Sequence, residues 1–233
     1  MKKIYYITAV FATLFLVGCG DGIDLPGVNV ETDLNKIPLP DNNVNLEQVE
    51  LKPSTEPMLH GGLHTEEDFQ RIRDKKAAGE EPWVSAYQLL VESQFSQKTA
   101  DTYPTEWIKR GISGDENYMN AARGATIVYQ QALRWKIEQD DEYAAKAVEN
   151  LNKWVQTCVG VTGNTNLSLA AGLYGYEFAI AGELLRDYGG WDRADFAAFQ
   201  NWLLKVFYPA NDDFLKRHHD TNALHYWANW CLC

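Results

Sequence analysis

Residues 167–187 read LSLAAGLYGYEFAIAGELLRD. The stretch has no proline, and its Leu, Tyr, Phe and Ile residues recur among Ala and Gly, which predicts a long helix. Gly172, Gly175 and Gly182 weaken a helix standing alone, so small residues in this number point to one packed closely on several sides. A helix that is apolar around most of its circumference needs neighbours. The flanking sequence supplies them.

Upstream, Thr65 and Asp68 form a capping-box start, Phe69 and Ile72 give the following helix an apolar face, and Gly79 stops it. Pro82 is placed as a first helical residue, with Trp83, Tyr87, Leu90 and Val91 at helical spacing behind it. Tyr118, Ala122, Ala125, Tyr129, Leu133 and Ile137 make a stripe over residues 117–138. Asp140 or Asp141 caps the next helix, where Tyr143, Val148, Leu151, Trp154, Val155 and Cys158 face inward. Downstream, Asp192 caps a sixth helix carrying Phe196, Phe199, Trp202, Leu203 and Val206, which Pro209 ends; another is expected from near Thr221. No alternating strand runs separate these helices, which argues against βαβ units and a parallel sheet.

About seven helices joined by short loops imply an all-α fold. Self-similarity at about 34 or 40 residues is lacking, so helical repeat arrays give way to an (α/α) toroid, or an incomplete barrel of helical hairpins. The last stretch, NALHYWANWCLC, stops inside an aromatic, helix-like run without Gly, Pro or a basic last turn. The expectation is an N-terminal portion of a longer protein, truncated at its C-terminus.

With 233 residues, 45% apolar and 12% aromatic, the chain can bury one sizeable core and is not a disordered protein. Its 21 Lys+Arg against 32 Asp+Glu, a net charge of -11, argue against a nucleic-acid partner, which calls for a basic footprint. A local cluster, Lys216-Arg217-His218-His219, still offers positive charge on an acidic body.

Three segments follow from the composition. Residues 1–19 start with Lys2 and Lys3, continue in an apolar run too short to span a membrane comfortably, and end in Leu16-Val17-Gly18-Cys19. That ending resembles a bacterial lipobox, and the resemblance implies lipidation at Cys19, a lipoprotein signal peptide, and a cell-envelope location facing the periplasm or the exterior. Residues 20–57, rich in Pro, Asn, Asp and Gly, read as a flexible tether, with a short strand conceivable at Val28–Val30. Residues 58–233 form the helical domain. Cys158, Cys231 and Cys233 remain, an odd number without zinc spacing, and buried free thiols are expected.

Residues 218–230 concentrate three His, two Asn, one Tyr and two Trp. If the helix begins near Thr221, Asn222, His225, Tyr226 and Asn229 fall at i, i+3, i+4 and i+7, on one face. Amides, an imidazole and a phenol on one stripe suit a sugar-holding cleft; a buried, internally hydrogen-bonded stripe is the competing reading. His60 and His64 are four apart, but Gly61-Gly62 opposes a helix between them and no third ligand accompanies them, so a turn or substrate-edge role is favoured over a metal. No cofactor motif is present.

The run Asn222-x-x-His225-Tyr226-Trp227 resembles a conserved region of alginate-lyase-like polysaccharide lyases, helical toroid enzymes that cleave uronate polymers. His60-Gly61-Gly62-Leu63-His64-Thr65 is similar to their opening phrase, and Leu169-Ala170-Ala171-Gly172-Leu173-Tyr174-Gly175-Tyr176 to their central helix. The resemblance covers about residues 58–233. It implies β-elimination on alginate or a related polyuronate, and it places a catalytic Tyr beyond the end of this chain, so the fragment alone is expected to lack part of its site.

Such a lyase removes the proton beside a sugar carboxylate, which requires that the carboxylate charge be neutralised. His225 is the candidate base or neutraliser, and Asn222 and Asn166 are candidate neutralisers. Tyr226 is a candidate acid/base or wall residue. Trp227 and Trp230 suit stacking on sugar faces, with Asn229 beside them; Lys216, Arg217 and His219 suit neighbouring carboxylates. The partner is then an anionic polysaccharide, with a membrane reached through the lipid. Two alternatives stand: a glycoside hydrolase, whose paired carboxylates would come from Asp212, Asp213 and Asp220, and a non-catalytic, lipid-anchored glycan-binding protein.

Overall fold

The computed structural model describes residues 50–53 and 62–217, all within one unit, Leu46–Cys233. In chain order the elements are α1 (Glu66–Ala77), α2 (Trp83–Glu92), a 3-10 turn (Gln94–Ser96), β1 (Trp107–Arg110), α3 (Tyr118–Glu138), α4 (Asp141–Thr157), β2 (Gly160–Gly163), α5 (Asn166–Leu185), α6 (Arg193–Val206) and α7 (Tyr208–Arg217). The architecture is all-α. Helix α3 packs on both α4 and α5, α5 receives α7, and α4 packs on α6, so α3 and α5 form one layer with α4 and α6 behind them. That alternation is the layering of an (α/α) toroid of helical hairpins.

Helix starts follow the local chemistry. Thr65 accepts from the Asp68 N–H while the Asp68 carboxylate accepts from the Thr65 N–H, a complete capping box. Asp140 and Asp192 cap α4 and α6 by accepting from the N–H groups of Glu142 and Ala194. Two proline expectations change. Pro82 stands at the cap of α2 rather than inside it. Pro209 does not simply end α6: after a break at Phe207 it lies in the first turn of α7, where a missing N–H costs nothing.

A second difference is the parallel pairing of β1 with β2, from Trp107 opposite Gly160 to Arg110 opposite Gly163. Four residues on each side are too few for an alternating pattern to show, and two glycines in the second strand read as loop. Its consequence is geometrical. Parallel strands that lead into α3 and α5 start both helices at the same end of the layer.

The core is aromatic at its centre. Phe178 of α5 lies 5.4 Å from Trp154 of α4 and 5.2 Å from Trp202 of α6, measured between ring centroids, and Trp202 meets Phe207 edge-on. Helix α5 approaches α6 so closely at Gly182 that a Cβ there would sit 2.2 Å from the Phe199 ring, which is why small residues crowd this helix. Trp154 is fully buried, and its indole N–H donates to Thr102 Oγ1 at 2.5 Å. Buried Arg134 is satisfied by Glu138, Tyr143 and Ser96 Oγ, and Tyr87 of α2 donates to the same Glu138 carboxylate at 2.8 Å. This network fastens α2, whose apolar residues are half-buried at most, with Leu89 exposed.

Cys158 is buried and free, and burial pushes its thiol up to about 11; Cys231 and Cys233 lie outside the described residues. In the stretch read as a tether, the Leu51 N–H donates to Asn201 Oδ1 and Asn201 Nδ2 donates to the Leu51 carbonyl, both at 2.7 Å. Trp154→Ala is expected to destabilise the domain by about 3–5 kcal/mol, since it empties the volume of the largest fully buried side chain and orphans Thr102. A urea-unfolding midpoint unchanged from wild type would contradict this packing account.

Candidate functional site

Polar side chains gather along the seam between α3 and α5. At its start β1 delivers Arg110, whose guanidinium lies over the Tyr118 ring at 4.6 Å and donates to Tyr174 Oη at 3.1 Å. Tyr118 and Tyr174 themselves stack, nearly coplanar, with centroids 6.4 Å apart. Among the described residues Arg110 has no carboxylate partner. A guanidinium held by two phenol rings but left without a counter-ion is a ready receptor for an anion, because its fork matches a carboxylate.

The turn after β2 brings Asn164 against the β1 backbone, where a Cβ on Gly111 would sit 1.9 Å from Asn164 Oδ1. Gly163 has φ +146° and a Cβ there would collide with the Arg110 carbonyl at 1.7 Å, so only glycine lets the strands end this close together. Behind it, Asn164 Oδ1 accepts from the Asn166 N–H at 2.9 Å. Asn166 opens α5, half-buried, and its carboxamide makes no bond to another described residue. The N-terminal end of α5 carries its own partial positive charge, about two turns before Tyr174.

Further along the seam a second cluster forms. His64 Nε2 and Tyr129 Oη are 2.7 Å apart and share one proton. Burial lowers the His64 pKa against the pull of Asp68, so the ring is neutral. Burial, with Tyr176 and Glu177 nearby, pushes Tyr129 up to about 12. Glu177 is raised above its ordinary value by burial, which a hydrogen bond from Thr126 opposes. From Tyr118 to Tyr129 the helix advances about 16 Å, so the two clusters lie at different positions along the seam.

Of the residues singled out in the sequence, Asn166 lies at the seam. Lys216 and Arg217 occupy the last turn of α7, where cations oppose the helix dipole; their side chains, like all of His219, Asn222, His225, Tyr226, Trp227, Asn229, Trp230 and Cys19, lie outside the described residues. Asp212 and Asp213 are adjacent on α7 and therefore point about 100° apart, and Asp212 accepts from Tyr208. These two do not face each other as a hydrolytic pair needs, and Asp220, the third carboxylate candidate, lies outside the described residues. Arg110 and Tyr129 escaped sequence reasoning as site residues because each looks ordinary alone: one is a charge after a short apolar pair, the other a core-stripe aromatic. His64 carried a usable signal, a polar ring just ahead of a capping box. A larger cavity of about 540 Å³, between residues 50–53 and α6, has mostly apolar walls including Val155, Ala197, Trp202 and Val206, and lacks this constellation.

The family described as alginate lyase matches residues 72–233, more than half of the chain. No curated protein and no solved structure matches.

The titration of Glu177 has a definite sign. The folded carboxyl holds its proton to higher pH than the unfolded one, so stability present below the ordinary value of 4.5 is lost as the pH rises through the raised value. Glu177→Gln should therefore raise Tm at pH 7 and leave it nearly unchanged below about pH 4. His64 acts the other way: its contribution is present above 6.5 and lost as the pH falls. A Glu177→Gln variant less stable than wild type at pH 7 would contradict the assignment of burial as the dominant cause.

Proposed function

The chain belongs to the alginate lyase family, and we propose that it carries the seam-side half of a site that cleaves a polyuronate, alginate or a close relative, by β-elimination. The family makes it a polysaccharide lyase in general terms. The single observation that supports the finer reading is the Arg110 guanidinium, which lies over the Tyr118 ring, donates to Tyr174 Oη and meets no carboxylate among the described residues.

The chemistry asks for such a group. Loss of the C5 proton leaves negative charge that spreads onto the C6 carboxylate, and a fixed cation there stabilises the developing carbanion more than the ground state. In the proposed site Arg110 and Asn166 bind a sugar carboxylate, with Asn222 as a further neutraliser. His225 takes the C5 proton. The electron pair then forms the C4–C5 double bond, the C4–O bond breaks, and the leaving oxygen receives a proton from an acid such as Tyr226. Trp227, Asn229 and Trp230 serve as the aromatic and amide wall, and Lys216, Arg217 and His219 hold neighbouring carboxylates. The neutral His64–Tyr129 pair offers hydrogen bonds to a sugar farther along the seam, a role that suits uncharged groups on an acidic protein. Lys2-Lys3, the apolar run and Leu16-Val17-Gly18-Cys19 support delivery to the cell envelope and attachment through a lipid on Cys19.

On the complete gene product, Arg110→Ala is expected to reduce kcat/KM on alginate about 10- to 150-fold, the value of one charge-assisted hydrogen bond of about 1.5–3 kcal/mol. His225→Ala is expected to abolish the near-ultraviolet absorbance of the unsaturated product. Full turnover in either variant would refute the role given to that residue, and reducing ends released without absorbance would move the protein to the hydrolases.

A further inference from the structure

Helix α3 has a second working face. Asn120, Arg123, Gly124 and Ile127 lie on the side of α3 away from Tyr118, Thr126 and Tyr129, as the helical period requires. Together with Phe95, Thr99 and Tyr103 they line a separate pocket of about 350 Å³. Tyr103 stands on its rim with 75% of its surface exposed, and among the described residues neither its hydroxyl nor the Arg123 guanidinium has a hydrogen-bond or charge partner. An exposed phenol ring, a free guanidinium and a carboxamide around one concavity are the groups that grip a sugar ring, its carboxylate and its hydroxyls.

The pocket wall is held rigid from beneath. Gln131 and Asn150, both fully buried, bond to each other at 3.1 Å. Gln131 Nε2 donates to the carbonyls of Gln97 and Ala100 at 2.9 and 3.1 Å. Asn150 Nδ2 donates to Ala100 O, and Asn150 Oδ1 accepts from the Thr102 N–H. Two buried amides are thus committed to fixing residues 97–102, the loop that presents Tyr103. The one carboxylate on the pocket wall, Asp101, is held by Lys146 at 3.2 Å and Lys153 at 2.6 Å, and those lysines also hold Glu149. Two acids and two lysines cancel, and Arg123 leaves the pocket with net positive charge on a protein of charge -11.

We propose that this pocket is a second, non-catalytic binding site for a uronate residue of the polymer, with Tyr103 as stacking platform and Arg123 as carboxylate receptor. The identity of the ligand rests on the polyuronate reading above; the existence of the site rests on the pocket itself. A site off the seam lets the protein hold a long chain while the cleft engages one segment of it, which raises the effective concentration of cleavable bonds. Short oligosaccharides cannot bridge the two and gain nothing.

Affinity electrophoresis of the complete gene product through native gels containing alginate, with dextran as the neutral control, tests this in the cold. Wild type is expected to be retarded by alginate alone, and Arg123→Gln and Tyr103→Ala each to weaken that retardation roughly tenfold, with Arg123→Lys partly restoring it. All variants should keep the wild-type Tm and the wild-type turnover of an alginate trisaccharide. Undiminished retardation of the variants overturns the proposal, as does equal retardation of wild type by dextran. Loss of trisaccharide turnover in the variants also overturns it, since the pocket would then belong to the cleft. Retardation that depends on Tyr103 and Arg123 without any unsaturated product would sink the lyase reading and leave the second site standing.

Discussion

The parallel pairing of β1 with β2 is the constraint on which the site depends. It spans four residues on each strand, too little to count as a sheet in the architecture, yet it sets the direction of the two central helices. Because the strands run together, α3 and α5 begin at one end, where the ends of β1 and β2 meet. Arg110 closes β1, Gly163 closes β2, and Asn166 opens α5. Had the strands been antiparallel, the guanidinium and the helix N-terminus would lie at opposite ends of the layer.

Electrostatics gives that arrangement its meaning. Among the described residues most lysines and arginines are matched to acids, as in the Lys98 pairing with Asp140 and Glu142 or the Arg73 pairing with Glu66. An acidic protein with few spare cations repels polyanions in bulk and attracts them only where a cation is left unmatched. Arg110 is such a place, and the rings of Tyr118 and Tyr174 hold it without neutralising it.

The helical scaffold was legible because its signals are local. Thr65 with Asp68, Asp140 and Asp192 each cap the helix that their positions announced, and the Gly and Ala of residues 167–187 correctly marked the helix packed on several neighbours. What escaped was long-range. A strand of Trp-Ile-Lys-Arg has no period to read, and its partner contains two glycines. Arg110 becomes informative only when the structure shows that no carboxylate among the described residues meets it, and Tyr129 only when His64, 65 positions earlier, is found 2.7 Å away. The segment from Asn222 to Trp230 was read from side-chain type and spacing, and it lies outside the described residues.

The central claim is that a fixed cation at the head of the α3–α5 seam makes the sugar carboxylate the handle for elimination. Comparing alginate with the same polymer after reduction of its carboxylates to alcohols tests it most directly, with near-ultraviolet absorbance followed on the complete gene product. Absorbance should rise with alginate and stay flat with the reduced polymer, which has no charge to neutralise and no acidified C5 proton. Equal cleavage of both polymers would contradict the account.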